Sequence, residues 1–153
     1  MCDARFMSEA LEEAKKARDR GEVPIGAVVV IDDVIVARGH NTREHDQTVT
    51  AHAELVAIDR ACRERGMWRL EDATVYVTLE PCPMCAGAII QSRIKRLVYG
   101  ATDPKHGAHV SQVRLFDVPF NHHVKVKGGV MAKQSSELLK TFFNALRNTK
   151  NTV

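Results

Sequence analysis

At 153 residues the chain has the length of a single domain, 1–153, able to bury roughly 70% of the surface its unfolded form exposes. The composition, 44% hydrophobic and 27% charged, is that of an ordinary globular protein, and no stretch approaches the ~20 apolar residues of a membrane span. Net charge is +3 but uneven: residues 1–89 balance to −5 and residues 90–153 to +8, where only Asp103, Asp117 and Glu137 oppose eleven Lys and Arg. Such a basic half is either the footprint of a polyanion or a solvated helical face.

The opening MCDARFMSEALEEAKK mixes both signs of charge and has no apolar central segment, so no secretory signal is expected and a cytoplasmic location is. Phe6, Met7, Ala10, Leu11, Ala14 and Ala17 recur at helical spacing and predict an amphipathic helix over 5–20, stopped by Gly21. GAVVVI (26–31) and VIVARG (34–39) flank Asp32-Asp33 and predict a β-hairpin. Residues 40–51 read as a polar loop, followed by a helix over 52–65 that ends at Gly66. TVYVTL (74–79) is β-branched and mostly apolar, the pattern of a strand buried on both faces. Pro83 suits the first turn of a helix that continues through AGAIIQS (86–92). RLVYGA (96–101) predicts another buried strand, a loop with a short helix runs to about 118, and HVKVKG (123–128) predicts a fifth strand. A last helix over 131–148 places Leu138, Leu139, Phe142, Phe143 and Leu146 on one face. Helices alternating with buried strands indicate an α/β domain whose helices cover both faces of a five-stranded sheet.

Four cysteines, Cys2, Cys62, Cys82 and Cys85, do not suggest a disulfide framework in an intracellular chain. A close pair in that compartment points instead to a metal or redox site. Cys62 reads as a small buried hydrophobe within a helix, and Cys2 carries no assignment. The chemistry concentrates in His52-Ala-Glu54 and Pro81-Cys-Pro-Met-Cys85. Cys-x-x-Cys at a helix start brings both sulfurs to one side of the first turn, where free N–H groups and the helix dipole favour thiolate. Two thiolates and an imidazole are preferred Zn²⁺ ligands, and three protein ligands leave the fourth corner for water. His122-His123 lie elsewhere, and His106 or His109 is the remaining candidate for a fourth ligand. Glu54, two residues from the histidine, can reach the activated water as proton carrier without ligating the ion. Alone, Cys-x-x-Cys also fits a redox pair or half of a structural zinc site.

His-x-Glu followed by Pro-Cys-x-x-Cys is the pattern of zinc-dependent nucleobase deaminases. Beyond it, Gly21-Glu-Val-Pro-Ile-Gly-Ala27, Gly39-His-Asn41, Thr50-Ala-His-Ala-Glu54, Trp68-Arg-Leu70, Tyr76-Val-Thr-Leu-Glu-Pro-Cys82, Met84-Cys-Ala-Gly-Ala88, Ser92-Arg-Ile94, Asp103-Pro-Lys105, Asn121-His122 and Phe142-Phe143 span nearly the whole chain. In these segments the sequence resembles the bacterial tRNA adenosine deaminases of the cytidine/deoxycytidylate deaminase superfamily. The resemblance implies a three-layer α/β/α cytidine-deaminase-like fold with a central five-stranded mixed sheet. It also implies a homodimer with one zinc per subunit, which deaminates the wobble adenosine (position 34) of the tRNA anticodon stem-loop to inosine.

By the same resemblance, Asn41 bonds the flipped base or its sugar, and Asp103 stands beside the target ribose. Val23 and Pro24 form the lip of the adenine pocket, and Phe142 or Phe143 packs near the anticodon nucleotides. Each has a plainer reading: core packing for the phenylalanines, a turn for Asn41 and for Asp103-Pro104. Two departures stand out. The run Gly107-Ala-His-Val-Ser111-Gln112 replaces a Gly-Ser-Leu segment frequent in the family, and Pro83 stands where valine is frequent. Deamination of a free base such as guanine or cytosine by the same fold is the alternative reading, since Pro-Cys-Pro-Met-Cys occurs there too. A non-catalytic tRNA-binding scaffold would be expected to lack Glu54.

Overall fold

A computed structural model describes residues 2–151, with side chains as far as Thr149. Helix α1 (Asp3–Asp19) leads into a hairpin of β1 (Gly26–Ile31) and β2 (Val34–His40). A short helix α2 (Arg43–Asp46) precedes α3 (Ala53–Arg65), and β3 (Thr74–Leu79), α4 (Pro83–Gln91) and β4 (Arg96–Ala101) follow. A single 3₁₀ turn (Leu115–Asp117), a short β5 (Lys125–Lys127) and the long α5 (Ala132–Asn151) complete the order.

The five strands form one sheet in the order β2-β1-β3-β4-β5. β1 runs antiparallel to β2 and β3, whereas β3, β4 and β5 are mutually parallel, so the sheet is mixed. The predicted hairpin closes through Asp32 and Asp33, both at positive φ (51° and 60°), as a two-residue hairpin turn requires. Strand alternation divides the core in two. Ala27, Val29, Val75, Val77 and Leu97 face α3 and α4, while Val28, Val30, Tyr76 and Val98 face Phe6, Met7 and Ala10 of α1. α5 shares the α1 face, where the buried Ser135 hydroxyl donates to the Thr78 carbonyl. The three-layer α/β/α expectation is therefore met.

Three local differences have physical reasons. The loop expected over 40–51 contains α2, a four-residue helix with no buried residue that carries no periodic signal. Its turn forms because the buried Glu22 carboxylate accepts from the amides of Glu44 (3.1 Å) and His45 (2.8 Å), two of the N–H groups a helix start leaves open. Cys62 is partly buried against the core edge rather than inside it. The end of α5 runs past the sheet: Phe142 is half-buried, while Phe143 and Leu146 are exposed, so these residues do not belong to either core cluster.

The N-terminus is fastened across the sheet by Asp3. Its carboxylate takes both Arg96 guanidinium nitrogens (2.7 Å each), the Tyr76 hydroxyl (2.8 Å) and the Lys127 ammonium (3.2 Å). Arg96 is the main reason the Asp3 carboxyl titrates well below the usual carboxylate range. A depressed folded-state pKa contributes stability that is present above the unfolded value near 3.8 and fades as pH falls below it. Asp3→Asn should lower stability by about 1–3 kcal/mol at neutral pH, the worth of charge-assisted hydrogen bonds. Thermal unfolding followed from pH 7 down to pH 2 should then show a flatter acid limb than in the parent protein.

Candidate metal centre and active site

The candidate ligands sit where two helices begin. His52 is the N-cap of α3 and Cys82 the N-cap of α4, both in extended backbone, with Pro83 at the first position of α4. Strand β3 delivers Cys82 from the middle of the sheet, and its parallel neighbour β4 delivers Asp103 from the same end, the usual place for ligands of open parallel sheets. α3 is drawn onto the sheet at Gly39, where a Cβ would come within 2.6 Å of the Ala53 carbonyl and 2.7 Å of the Ala57 amide. Only glycine permits that approach, and it sets the start of α3 next to β2.

The result is a tight donor set. His52 Nδ1 lies 3.6 Å from Cys82 Sγ and 3.4 Å from Cys85 Sγ, and the three donors lie within 4.8 Å of one another. A tetrahedral cation with bonds of ~2.3 Å to sulfur and ~2.0–2.1 Å to nitrogen would hold a sulfur and a nitrogen about 3.5 Å apart. The spacing and the donor chemistry both fit a metal ion. The electrostatics favour a thiolate at Cys82. The Cys85 thiol and His52 stabilise the Cys82 thiolate and bring its pKa down to about 4, while the same shared proton pushes Cys85 up. His52 is raised by its bond to Cys82. His52 and Cys82 are half-buried and Cys85 is buried, so the cluster is reachable from one side.

Glu54 stands in the first turn of α3, only 5% exposed, with the Cys85 thiol beside it. Burial pushes its carboxyl up to about 7. His106 and His109, the candidates for a fourth ligand, are engaged elsewhere. His106 is exposed beside Asp103 at 3.7 Å, and His109 Nδ1 bonds the Tyr99 hydroxyl at 2.7 Å with its ring edge-on to Tyr99 and Phe116. Among the described residues the metal-capable group is His52, Cys82 and Cys85.

The remaining site residues fall into two flanking groups. On one side the Asn41 amide donates to the Val23 carbonyl (3.3 Å), while its Oδ1 accepts from the Arg43 amide (3.1 Å). Asn41, Val23 and Pro24 thus stand together, and the turn chemistry expected of asparagine is also present. On the other side Asp103 Oδ1 accepts from the amides of Lys105 (3.2 Å) and His106 (3.3 Å), so the aspartate does cap a turn. Phe142 and Phe143 pack edge-to-face at 5.4 Å on the exposed part of α5.

Three buried carboxylates escaped the sequence reading, Glu13, Glu22 and Glu80, each 2% exposed, and the last two lie next to the candidate site. Burial alone would raise the Glu80 carboxyl, but the Ser111 hydroxyl and the amides of Val110, Asp103 and His109 hold it at about 2. The available signal was position: a charge closing the apolar run 74–79, directly before Pro81. Replacing Cys85 by serine should leave metal content well below one ion per chain and lower the melting temperature, because binding and folding are coupled. Elemental analysis and thermal unfolding check this, and a Cys85→Ser protein with full metal content would remove Cys85 from the ligand set.

Known proteins resemble both the chain and its fold. The tRNA-specific adenosine deaminase of Bacillus subtilis (strain 168) is 52% identical over 97% of this chain and 92% of its own length. A solved structure from work on A-to-I editing by tRNA:A34 deaminases at the wobble position of transfer RNA superimposes with a TM-score of 0.85 at 51% identity, covering 88% of this chain and 99% of that one. The guanine deaminase of Bacillus subtilis matches with a TM-score of 0.64 at 29% identity over 97% of this chain and 95% of that one. The MafB19-like deaminase family matches residues 1–147, the span that holds the donor set, Glu54 and both flanking groups. With its site geometry and its relatives in agreement, the chain belongs to the MafB19-like deaminase family.

Proposed function

We propose that this protein is a zinc-dependent hydrolase that converts the wobble adenosine of a tRNA anticodon loop to inosine. The observation that carries the reading is the three-donor cluster with Glu54 buried beside it, in a chain 52% identical to a tRNA-specific adenosine deaminase. His52, Cys82 and Cys85 would hold one Zn²⁺ per chain, which when bound supplies Lewis-acid activation of water. The reaction exchanges the exocyclic amine of adenine for oxygen. A water oxygen bonds to the amine-bearing ring carbon, Glu54 accepts a water proton and redelivers protons to the base, and the carbon–nitrogen bond breaks as ammonia leaves. Glu54 is suited to this because it is held by the first turn of α3 rather than by a mobile loop, two residues from a ligand.

Val23, Pro24 and Asn41 on one side and Asp103 on the other would border the inserted nucleotide, with Phe142 or Phe143 further along the loop. An anticodon loop offers bases that leave the stack at low energy, which suits a site recessed between two helix starts. Two observations favour tRNA over a free base. Within one organism the tRNA-acting relative is 52% identical and the guanine-acting one 29%. The basic half also stays useful for phosphates after its internal pairs are counted. Arg96 and Lys127 are tied to Asp3, whereas Lys105, Arg114, Lys125, Lys133, Lys140 and Arg147 are exposed. The Lys150 side chain lies outside the described residues.

A homodimer is part of the same reading, supported by exposed Val49, Met67 and Trp68 (50–67% exposed), and sedimentation velocity decides it. Among the described residues no helix is long and apolar enough to cross a membrane, and a cytoplasmic protein would meet its tRNA directly.

The decisive experiment is product analysis by mass spectrometry on an anticodon stem-loop with wobble adenosine, and separately on guanine, adenine and cytosine. Inosine from the stem-loop is expected; turnover of a free base alone would sink the tRNA reading. Glu54→Ala should keep its metal and its fold while kcat falls by at least about 10²–10⁴-fold, the usual contribution of a positioned proton carrier. Stem-loop affinity should weaken on the order of tenfold or more between 50 and 200 mM salt, as counterion release requires. A flat salt response, measured by fluorescence anisotropy, would detach the basic half from RNA binding.

A further inference from the structure

Glu80 lies between β3 and the first metal-ligand candidate, one proline away from Cys82. Its carboxylate carries out no step of the reaction above, and none of its hydrogen-bond partners is a cation. Oε1 accepts from the Asp103 amide (3.0 Å) and the Ser111 hydroxyl (2.5 Å). Oε2 accepts from the amides of His109 (2.9 Å), Val110 (2.9 Å) and Ser111 (3.2 Å). All five donors therefore belong to one loop, 102–111, whose N–H groups converge on the carboxylate as they would on a bound anion. The closure is tight, because any Cβ on Gly107 would run into the carboxylate itself.

Further bonds tie the same loop to the same three-residue stretch. The Ala108 amide donates to the Pro81 carbonyl (2.8 Å), and the Glu80 amide donates to Ala101 (2.8 Å) where the loop leaves β4. Gly107 donates back to the Asp103 carbonyl (2.8 Å), closing the turn that begins at Asp103. His109 is pinned to Tyr99 and Phe116 and leaves its amide aimed at Glu80. The path from Asp103 to Cys82 thus runs through one carboxylate and one proline. An error in the loop's placement has few bonds over which to grow.

We propose that Glu80 is a positioning residue: it is the internal anion on which loop 102–111 closes, and it thereby fixes Asp103 relative to the Cys82 end of the metal site. This rests on the reading of Asp103 as a neighbour of the target nucleotide. Replacing one carboxylate oxygen by the NH2 group of glutamine leaves part of the four amides facing a donor and removes the charge they converge on, so the loop samples other placements while α3, α4 and the candidate ligands they carry keep theirs.

The test compares Glu80→Gln, the milder Ser111→Ala and the double variant Glu80→Gln/Asp103→Asn with Asp103→Asn alone. The readouts are metal content, amide hydrogen exchange, and KM and kcat on the anticodon stem-loop. Glu80→Gln should raise KM about tenfold and Ser111→Ala by about threefold, with kcat changed less than KM, as expected when uniform binding is lost. Exchange should accelerate across 103–111 and stay unchanged in α3 and α4, at full metal content. The double variant should be no worse than Asp103→Asn, since both remove the same placement. Unchanged KM and exchange in Glu80→Gln, additive effects in the double variant, or loss of metal alongside the KM effect would each overturn the proposal. If Glu80→Gln fails to fold, Ser111→Ala decides by the same criteria. If the parent protein leaves the stem-loop unchanged, the substrate reading fails separately, and exchange at the Asp103 amide decides the clamp: faster in Glu80→Gln supports it, unchanged overturns it.

Discussion

The site depends on two helix N-termini aimed at one point. α3 and α4 start at the same end of the sheet, and the residues that cap them, His52 and Cys82, are themselves the donors. Each N-terminus carries a partial positive charge and N–H groups without intrahelical partners. Such a place favours anions, which suits a thiolate at Cys82, while burial still pushes the Glu54 carboxyl up. Two cysteine sulfurs would in turn offset the charge of a divalent cation bound there, which the helix dipoles alone would repel. The sheet makes the convergence possible: β3 and β4 run parallel, so their following segments leave on the same edge, and Gly39 lets α3 approach β2 closely enough to bring His52 within 3.6 Å of both sulfurs.

Around that centre, buried charge is handled in two ways. Asp3 is matched with cations, Arg96 and Lys127, and ties the chain's beginning to β4 and β5. Glu22 and Glu80 take most of their hydrogen bonds from backbone amides. A buried ion without a counter-charge is tolerable only when hydrogen bonds replace the water it has lost, and amides turned toward one point provide this. Each of these carboxylates organises a segment next to the donor set. Glu22 shapes the turn that follows Asn41, and Glu80 shapes the loop that holds Asp103.

The division of labour follows from stiffness. His52, Glu54, Cys82 and Cys85 sit on helix starts packed against the sheet, where a displacement would disturb the core. The candidate substrate contacts sit on the turns beside them, and their positions are set by hydrogen bonds that one substitution can alter.

The sequence alone determined the elements whose signal is periodic. Strands 74–79 and 96–101, the helix opened at Pro83 and the hairpin through Asp32-Asp33 are local consequences of branched side chains, proline and turn chemistry, whereas His52, Cys82, Cys85 and Glu54 were singled out because their combined pattern resembles that of a known family. Tertiary structure alone decided the strand order, the meeting of α3 with α4, and the loops. The start of α2 is capped by the Glu22 carboxylate, more than twenty residues away in the chain, and the Asp103 amide bonds Glu80 just beyond the end of β3. His109 is likewise engaged by partners from separate elements, Tyr99 and Phe116. A residue whose energy comes from partners distant in the chain leaves no periodic trace, and that is where the reading from sequence ended.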